Sequence, residues 1–248
     1  MQKKIIIGNW KTNPNDPKTA KKLFTDIAKN LRKFKNSEVV VCPPPFFQSL
    51  FYGLKGSLIL GAQDTGLESV GSFTGTLSPR HLKTLGVKYS IVGHSESRLA
   101  GTTDEVVSKK VQSLLSEGVT PVLCVGESVR DNQGEFFKFI KNQLSKSLSL
   151  VPENKITKII VAYEPIWAIG SNAERQATPD EAKEMALFIK KTIRELFKIE
   201  KAPKILYGGS VDEVNAENFL SAGGVDGLLV GRASLNAKKF LQIISYAG

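Results

Sequence analysis

One acidic residue, Glu164, follows a hydrophobic run at residues 158–163 and stands directly before Pro165. A carboxylate next to buried apolar residues needs a partner or a role, because burying an unpaired charge is costly. A carboxylate base can remove a proton from a carbon atom beside a carbonyl group. The enediolate left behind needs hydrogen-bond donors or a cation at its oxygens. Glu164 therefore suggests proton transfer at carbon.

Groups that can stabilise such an intermediate follow other hydrophobic runs. His94 can donate a hydrogen bond as a neutral imidazole at a helix start, Lys11 supplies a fixed positive charge, and Asn9 can position both. Each has a plainer interpretation: Lys11 can be a surface lysine, and His94 a core histidine with a backbone partner. The two histidines, His81 and His94, lack paired ligand spacing, so we expect no metal site.

Two glycine-containing turns follow the last two hydrophobic runs, at residues 208–210 and 231–234. Either can be an ordinary turn, but backbone N–H groups in such places commonly hold phosphate. A bound phosphate would anchor a small substrate, and a lid over it would exclude water. Together these residues predict proton shuttling on a phosphorylated ketose or aldose, with no cofactor required.

Short β-rich runs that alternate with longer helical segments must position these residues. The runs are apolar on consecutive residues, as expected for strands buried on both faces. We predict eight strands, at residues 4–8, 38–42, 58–62, 89–93, 120–125, 158–163, 204–207 and 227–230. This alternation predicts the α/β class and a closed (β/α)8 barrel, with residues 1–248 as a single domain.

Helix starts are marked by capping residues and prolines. We predict starts at Asp16 and Pro17, at Ser78 and Pro79, at Thr103, at Thr178 and Pro179, at Asn215 and at Asn236. Residues 64–75 predict a long loop. The alternative fold is an open doubly wound sheet, but that fold favours a Gly-rich turn after the first strand, where this chain has residues 8–11, Gly-Asn-Trp-Lys. In a barrel, function lies at the carboxyl ends of the strands.

The amino-acid composition limits which binding partners and which cellular compartment the protein can have. Lysine and arginine outnumber aspartate and glutamate by 34 to 24, so a nucleic-acid partner must be considered. The basic residues are spread along helical segments without an arginine-rich tail or zinc-finger spacing, so we expect a solvated surface and no nucleic-acid partner. A positive field can still gather an anionic substrate. Cys42 and Cys124 lie in hydrophobic runs, as buried free thiols of a reducing cytosol would. We expect a cytoplasmic protein with no secretion signal and no membrane span.

Motifs along the whole chain, in order, resemble those of the triosephosphate isomerase family. They are IIGNWKTN at 6–13, GAQD at 61–64, SFTG at 72–75, IVGHSESR at 91–98, CVGE at 124–127, AYEPIWAIG at 162–170, YGGSV at 207–211 and DGLLVGRASL at 226–235. The resemblance implies interconversion of glyceraldehyde 3-phosphate and dihydroxyacetone phosphate without a cofactor.

The resemblance implies a role for each matched residue around the reacting atoms. Glu164 would be the base and His94 the electrophile. Lys11 would be the electrostatic partner, and Asn9 would orient the substrate. Three further residues would support these four without touching the substrate, namely Glu96, Ser95 and the buried Cys124.

The resemblance also implies a phosphate site and a lid. Backbone N–H groups would hold the phosphate at Gly170, Ser210, Gly231 and Arg232. The lid would run from a stiff hinge to a tip through Pro165, Ile166, Trp167, Ala168, Ile169 and Gly170, with Tyr207 and Ser210 as its latch and Glu127 as a partner of Trp167. Residues 171–177 make it about two residues longer than the usual family lid, a difference that costs little closure entropy. Arg232 replaces a usual glycine.

A full-length third loop, from Asp64 to Thr76, implies a homodimer in which Thr74 approaches the partner's active site. Two other enzymatic or binding functions remain open on the same barrel. One is a phosphate-binding protein that has lost catalysis, which the altered lid suggests. The other is a different phosphosugar isomerase or lyase.

Overall fold

Eight parallel strands close into one barrel, in which each strand pairs with the next along the chain and the last pairs with the first. The computed structural model describes residues 3–53, 56–170, 173 and 175–248. The strands are β1 Lys4–Asn9, β2 Ser37–Cys42, β3 Leu58–Ala62, β4 Tyr89–Val92, β5 Thr120–Val125, β6 Ile160–Tyr163, β7 Lys204–Tyr207 and β8 Gly227–Val230. The prediction of a closed (β/α)8 barrel, the TIM-barrel fold, is confirmed.

Helices surround this barrel. The α-helices of the described residues are α1 Pro17–Asn30, α2 Pro79–Thr84, α3 Ser95–Leu99, α4 Asp104–Glu117, α5 Glu135–Ser147, α6 Pro179–Phe197, α7 Ala216–Ser221 and α8 Ala237–Ser245. Short 3-10 helices cover Leu31–Lys33, Pro45–Phe51, Glu153–Lys158, Ile166–Ala168 and Arg232–Leu235. The strand–helix alternation is therefore not strictly regular, because a 3-10 helix follows β2 and two α-helices follow β4. No helix of the described residues is long and apolar enough to cross a membrane.

The predicted helix starts at Asp16, Ser78, Thr103, Thr178 and Asn236 are confirmed, since each of these side chains accepts a backbone hydrogen bond from the first turn. Thr178 and Glu181 form a complete capping box at the start of α6. The start predicted at Asn215 is also confirmed, since Asn215 is the N-cap residue of α7, but its side chain makes no capping hydrogen bond. The Asn215 amide instead bonds to the N–H of Asp212 and the carbonyl of Ser210.

Four strands, β3, β5, β7 and β8, have the predicted bounds, and the other four differ from them by one or two residues at one end. β4 ends at Val92 because Gly93 adopts a left-handed conformation with φ of +66°. β6 begins at Ile160 because Lys158 still belongs to a 3-10 helix. The long loop predicted at residues 64–75 is confirmed, since it contains neither helix nor strand.

Alternating side chains explain the continuous apolar runs. In β1, Ile5 and Ile7 belong to a cluster that fills the barrel, whereas Ile6 belongs to the larger cluster beneath the helices. β5 shows the same division, with Val122 and Cys124 inside and Leu123 outside. Because packed side chains fill the barrel, polar chemistry is restricted to its ends.

Candidate active site

The carboxyl ends of the strands surround a cavity of about 710 Å³. It brings together the four residues predicted to act on the reacting atoms, Asn9, Lys11, His94 and Glu164. Residues predicted to bind phosphate line the same cavity, namely Gly170, Ser210, Gly231 and Arg232, as does Ile169 of the predicted lid. The barrel therefore joins distant parts of the sequence at one mouth. The individual roles stay a prediction.

The Glu164 carboxylate is buried at the end of β6, with only 2% of the residue exposed. Its Oε1 lies 3.3 Å from Nε2 of His94, and its Oε2 accepts a hydrogen bond of 3.2 Å from the backbone N–H of Ser95. The buried Cys124 lies beside it, and burial together with the Glu164 carboxylate raises the pKa of the Cys124 thiol. Donors on one side and a neutral thiol on the other let this acid stay buried.

The orientation of His94 follows from its place at the start of α3. Its Nδ1 accepts a hydrogen bond of 3.2 Å from the backbone N–H of Glu96, two residues along. An imidazole nitrogen that accepts a hydrogen bond carries no proton. A neutral His94 therefore carries its proton on Nε2, the atom that faces Glu164 and the cavity.

Lys11 projects from the loop after β1 in an uncommon backbone conformation. Its φ is +52°, in the left-handed region, and the Asn9 side chain accepts its backbone N–H at 3.0 Å. Its ammonium lies 2.5 Å from Oε1 of Glu96. Burial alone would raise the pKa of Glu96, but the Lys11 ammonium outweighs it and the pKa is lowered. Glu96 is thus an ionised anchor for the lysine.

Gln63 supports the site, although the sequence analysis gave it no role. Its side-chain amide donates to the carbonyl of Lys11 at 2.7 Å and to the carbonyl of Cys42 at 2.9 Å. These bonds fix the loop that presents Lys11 against the end of β2. The signal was present in the motif at residues 61–64, which contains Gln63, but a motif match does not say what the residue contacts.

The end predicted to bind phosphate is built by a short 3-10 helix, Arg232–Leu235, with Gly231 directly before it. The first backbone N–H groups of a helix have no partner within that helix, which makes them suitable donors to an anion. Ser234 holds this turn through a hydrogen bond of 2.7 Å from its hydroxyl to the Gly231 carbonyl. The Arg232 side chain is exposed and therefore points away from the core. We expected this orientation, because it leaves the backbone N–H of Arg232 available to an anion.

Comparison with known proteins places the chain in a family. A family model described as Triosephosphate isomerase matches residues 4–247. The chain belongs to the triosephosphate isomerase family. Proteins named Triosephosphate isomerase from Thermoanaerobacter pseudethanolicus and Thermoanaerobacter sp. are each 42% identical over 254 residues, covering 99% of this chain and all of the relative. One from Caldanaerobacter subterraneus subsp. tengcongensis is 41% identical over 252 residues, with the same coverage.

The segment predicted to form a lid starts directly after Glu164. Pro165 leads into the 3-10 helix Ile166–Ala168, where the Trp167 indole donates to Oε1 of Glu127 at 2.8 Å. The Ser210 hydroxyl donates to the Ala168 carbonyl at 2.8 Å. The buried Tyr207 hydroxyl has no hydrogen-bond partner within the described part of the chain. The predictions that depend on Ser171, Asn172 and Glu174 lie outside the described residues.

The ionisable side chains do not form a metal centre within the described part of the chain. Among residues 3–53, 56–170, 173 and 175–248, no group of three or more histidine, cysteine, aspartate or glutamate residues could hold a metal ion. Cys42 and Cys124 are both buried and free. The chemistry derived below uses side chains and backbone N–H groups alone.

Proposed function

We propose that this protein interconverts glyceraldehyde 3-phosphate and dihydroxyacetone phosphate through an enediolate. One observation carries the proposal: a buried carboxylate, Glu164, lies 3.3 Å from Nε2 of His94 inside a cavity that Lys11 and Asn9 also line. Family membership and relatives named Triosephosphate isomerase support the choice of substrate. Proton transfer between neighbouring carbons needs a base and an electrophile but no cofactor.

The reaction follows from these groups in order. Glu164 removes a proton from the carbon beside the carbonyl group, and the electron pair moves to the carbonyl oxygen. His94 donates from Nε2 to that oxygen, while the Lys11 ammonium stabilises its negative charge. Asn9 orients the substrate oxygens. Glu164 then returns the proton to the carbon that carried the carbonyl group. The first oxygen keeps a proton supplied from Nε2 of His94 and becomes the hydroxyl, while the neighbouring hydroxyl gives its proton back to His94 and becomes the new carbonyl, so every proton is accounted for.

The phosphate holds the small substrate at one end of the cavity. Backbone N–H groups of Gly170, Ser210, Gly231 and Arg232 would donate to it, since these residues line the same cavity as Glu164. Binding through backbone groups tolerates a side chain at position 232, because the Arg232 side chain is exposed. The formal net charge of +10 would favour the approach of the anion.

We also propose that the segment after Glu164 acts as a lid. It would begin with Pro165 and Trp167 and would reach the phosphate with Ile169 and Gly170, so that water is excluded while the enediolate exists. Tyr207 and Ser210 would latch it. The buried Tyr207 hydroxyl, without a hydrogen-bond partner among the described residues, is suited to accept or donate such a bond.

We propose a homodimer built on the loop from Asp64 to Thr76. Thr65 and Gly66 both donate to the Leu77 carbonyl, which closes the base of the loop. Beyond that base, Val70 is 66% exposed and Phe73 is 51% exposed. Apolar side chains on a pinned, projecting loop are typical of an interface, and we expect it to bury more than ~1,200 Å².

The free thiols of Cys42 and Cys124 support a cytoplasmic location, because thiols persist in a reducing compartment.

Assay of the purified protein for triose phosphate interconversion tests the proposed function. We expect rapid turnover, and we expect Glu164→Asp to lower kcat/KM at least about a hundredfold, because the shortened side chain withdraws the base by about 1 Å. Glu153→Asp, at an exposed acid of a 3-10 helix, is the matched control and should retain full activity. An inert parent protein that still binds glycerol 3-phosphate would favour the phosphate-binding barrel without catalysis.

A further inference from the structure

The indole ring of Trp167 is held from two directions. Its N–H donates to Oε1 of Glu127 at 2.8 Å, and the guanidinium of Arg175 covers its face at 4.4 Å from the ring centroid. Only 4% of Trp167 is exposed. A cation over an aromatic face is attracted by the negative charge at that face, so Arg175 is a bound partner of the ring.

Arg175 is itself fixed to the barrel. Its two terminal nitrogens donate to the two carboxylate oxygens of Glu181, at 3.0 and 2.5 Å. Glu181 belongs to the capping box of α6, where it also accepts from the backbone N–H of Thr178 at 2.8 Å. The guanidinium therefore joins the start of α6 to Trp167. Two parallel bonds fix the plane of a guanidinium as well as its position.

The N–H edge of Trp167 is held by a residue that is itself constrained. Glu127 is 2% exposed, and its Oε1 also accepts the Tyr163 hydroxyl at 2.7 Å. The carbonyl of Glu127 accepts the backbone N–H of Ile166 at 2.9 Å. Glu127 thus fixes the N–H edge of the ring, and the half-exposed Arg175 covers one of its faces.

The position of Trp167 bears on Glu164 through a short, stiff stretch of chain. Pro165 limits backbone rotation directly after Glu164, and residues Ile166–Ala168 form a 3-10 helix. The backbone N–H of Glu164 is held by the Val125 carbonyl at 2.8 Å. A displaced Trp167 would therefore be expected to rotate this stretch about the end of β6 and move the carboxylate.

We propose that Arg175 is a positioning residue for the base: it covers Trp167, anchors it to α6 through Glu181, and so fixes the stretch that carries Glu164. This proposal rests on the proposed function. Arginine suits the position because its flat fork stacks on the ring and pairs with both carboxylate oxygens, whereas a lysine ammonium does neither. Arg175→Lys should accordingly restore little of what Arg175→Ala loses.

Tryptophan emission of the ligand-free protein tests the contact itself. The chain has two tryptophans, Trp10 and Trp167, so the spectrum of the matching Trp167→Phe variant can be subtracted from each protein. We expect Arg175→Ala to shift the Trp167 emission to longer wavelength, because water replaces the guanidinium over the ring. Arg80→Ala, which removes a half-exposed arginine paired with Glu117 at 3.3 Å, is the control and should leave the emission unchanged.

Steady-state kinetics of the same variants tests the effect on the base. We expect Arg175→Ala to lower kcat about tenfold, the size expected for a lost contact of this kind, with KM changed less than about twofold. An unchanged Trp167 emission in Arg175→Ala would overturn the proposal, as would an equal loss of kcat in Arg80→Ala. A parent protein without isomerase activity would instead count against the proposed function, and the emission shift would still report on the contact.

Discussion

Lys11 combines an energetically unfavourable backbone conformation with a useful placement of its charge. A left-handed backbone at a residue other than glycine costs about 1–3 kcal/mol, and such residues cluster at functional sites. Here φ is +52°, and the surroundings impose it, since Asn9 accepts the backbone N–H and Gln63 donates to the carbonyl. The result is an ammonium directed toward Glu96 and the cavity. The conformation is consistent with selection for charge placement over local stability.

Replacement of this charge gives a residue-scale prediction. Lys11→Met should lower kcat/KM about 100- to 1,000-fold, because the enediolate oxygen loses its cation. Unfolding stability should change by less than about 1 kcal/mol, since exposed ion pairs contribute little. Steady-state kinetics and urea unfolding measure the two effects. Lys22→Met is the control, since Lys22 pairs with Asp26 at the same 2.5 Å on α1. Activity above a tenth of the parent value would contradict the assigned role.

Some contacts at this scale were beyond sequence reasoning. The GAQD motif contains Gln63, but its partner, the Lys11 carbonyl, is 52 residues away. A long-range bond from a side chain to a backbone carbonyl leaves no pattern in a single sequence. Arg175 was predicted only as part of the lengthened segment 171–177, because its stacking on Trp167 depends on how the chain returns to α6.

Elements were predicted well where the signal is local. A capping box such as that of Thr178 and Glu181 involves only four consecutive residues. The start of α6 was therefore predicted correctly. Asn215 holds the N-cap position of α7 but does not cap with its side chain, because its amide is engaged with the N–H of Asp212 and the carbonyl of Ser210. The start of β6 was predicted two residues early because the 3-10 helix Glu153–Lys158 leads almost directly into the apolar run, and the run does not show where the helix ends.

The start of α6 gives an element-scale prediction of pH dependence. Hydrogen bonding from Arg175 lowers the pKa of Glu181 from 4.5 to about 2, against a smaller opposing effect of burial. A lowered pKa stabilises the fold above pH 4.5, and this contribution is lost as the pH falls toward 2. Glu181→Gln keeps a capping-box partner but removes the charge, so its deficit against the parent should be largest near neutral pH and shrink on acidification.

Urea unfolding midpoints of parent and variant, measured in steps from pH 7 downward, test this dependence. Glu195→Gln, at the other end of α6 in a looser pair with Lys191 at 3.8 Å, is the control for a charge change on the same helix. A deficit that stays constant with pH, or that grows in acid, would refute the linkage between Glu181 and Arg175.

At the scale of the whole molecule, closure of the sheet decides where chemistry can occur. Eight strands end on one rim, and the packed interior leaves no room for polar side chains below it. Asn9 is the last residue of β1, Glu164 lies one residue beyond β6, and His94 lies two residues beyond β4. This placement was predictable, because it depends only on strand order. The distances within the site were not, because they depend on how the loops fold back.

The homodimer gives the prediction for the whole molecule. Phe73→Asp places a charge on the projecting loop, and we expect the dissociation constant to rise at least about 30-fold, because burying an unpaired carboxylate costs at least ~2 kcal/mol. Phe139→Asp is the matched control, since Phe139 is 49% exposed on α5, close to the 51% of Phe73. Sedimentation measures the association, and activity per chain on dilution reports whether the partner completes the site. If both variants sediment like the parent, Phe73 lies outside the interface, and the exposed apolar tip of the loop needs another explanation.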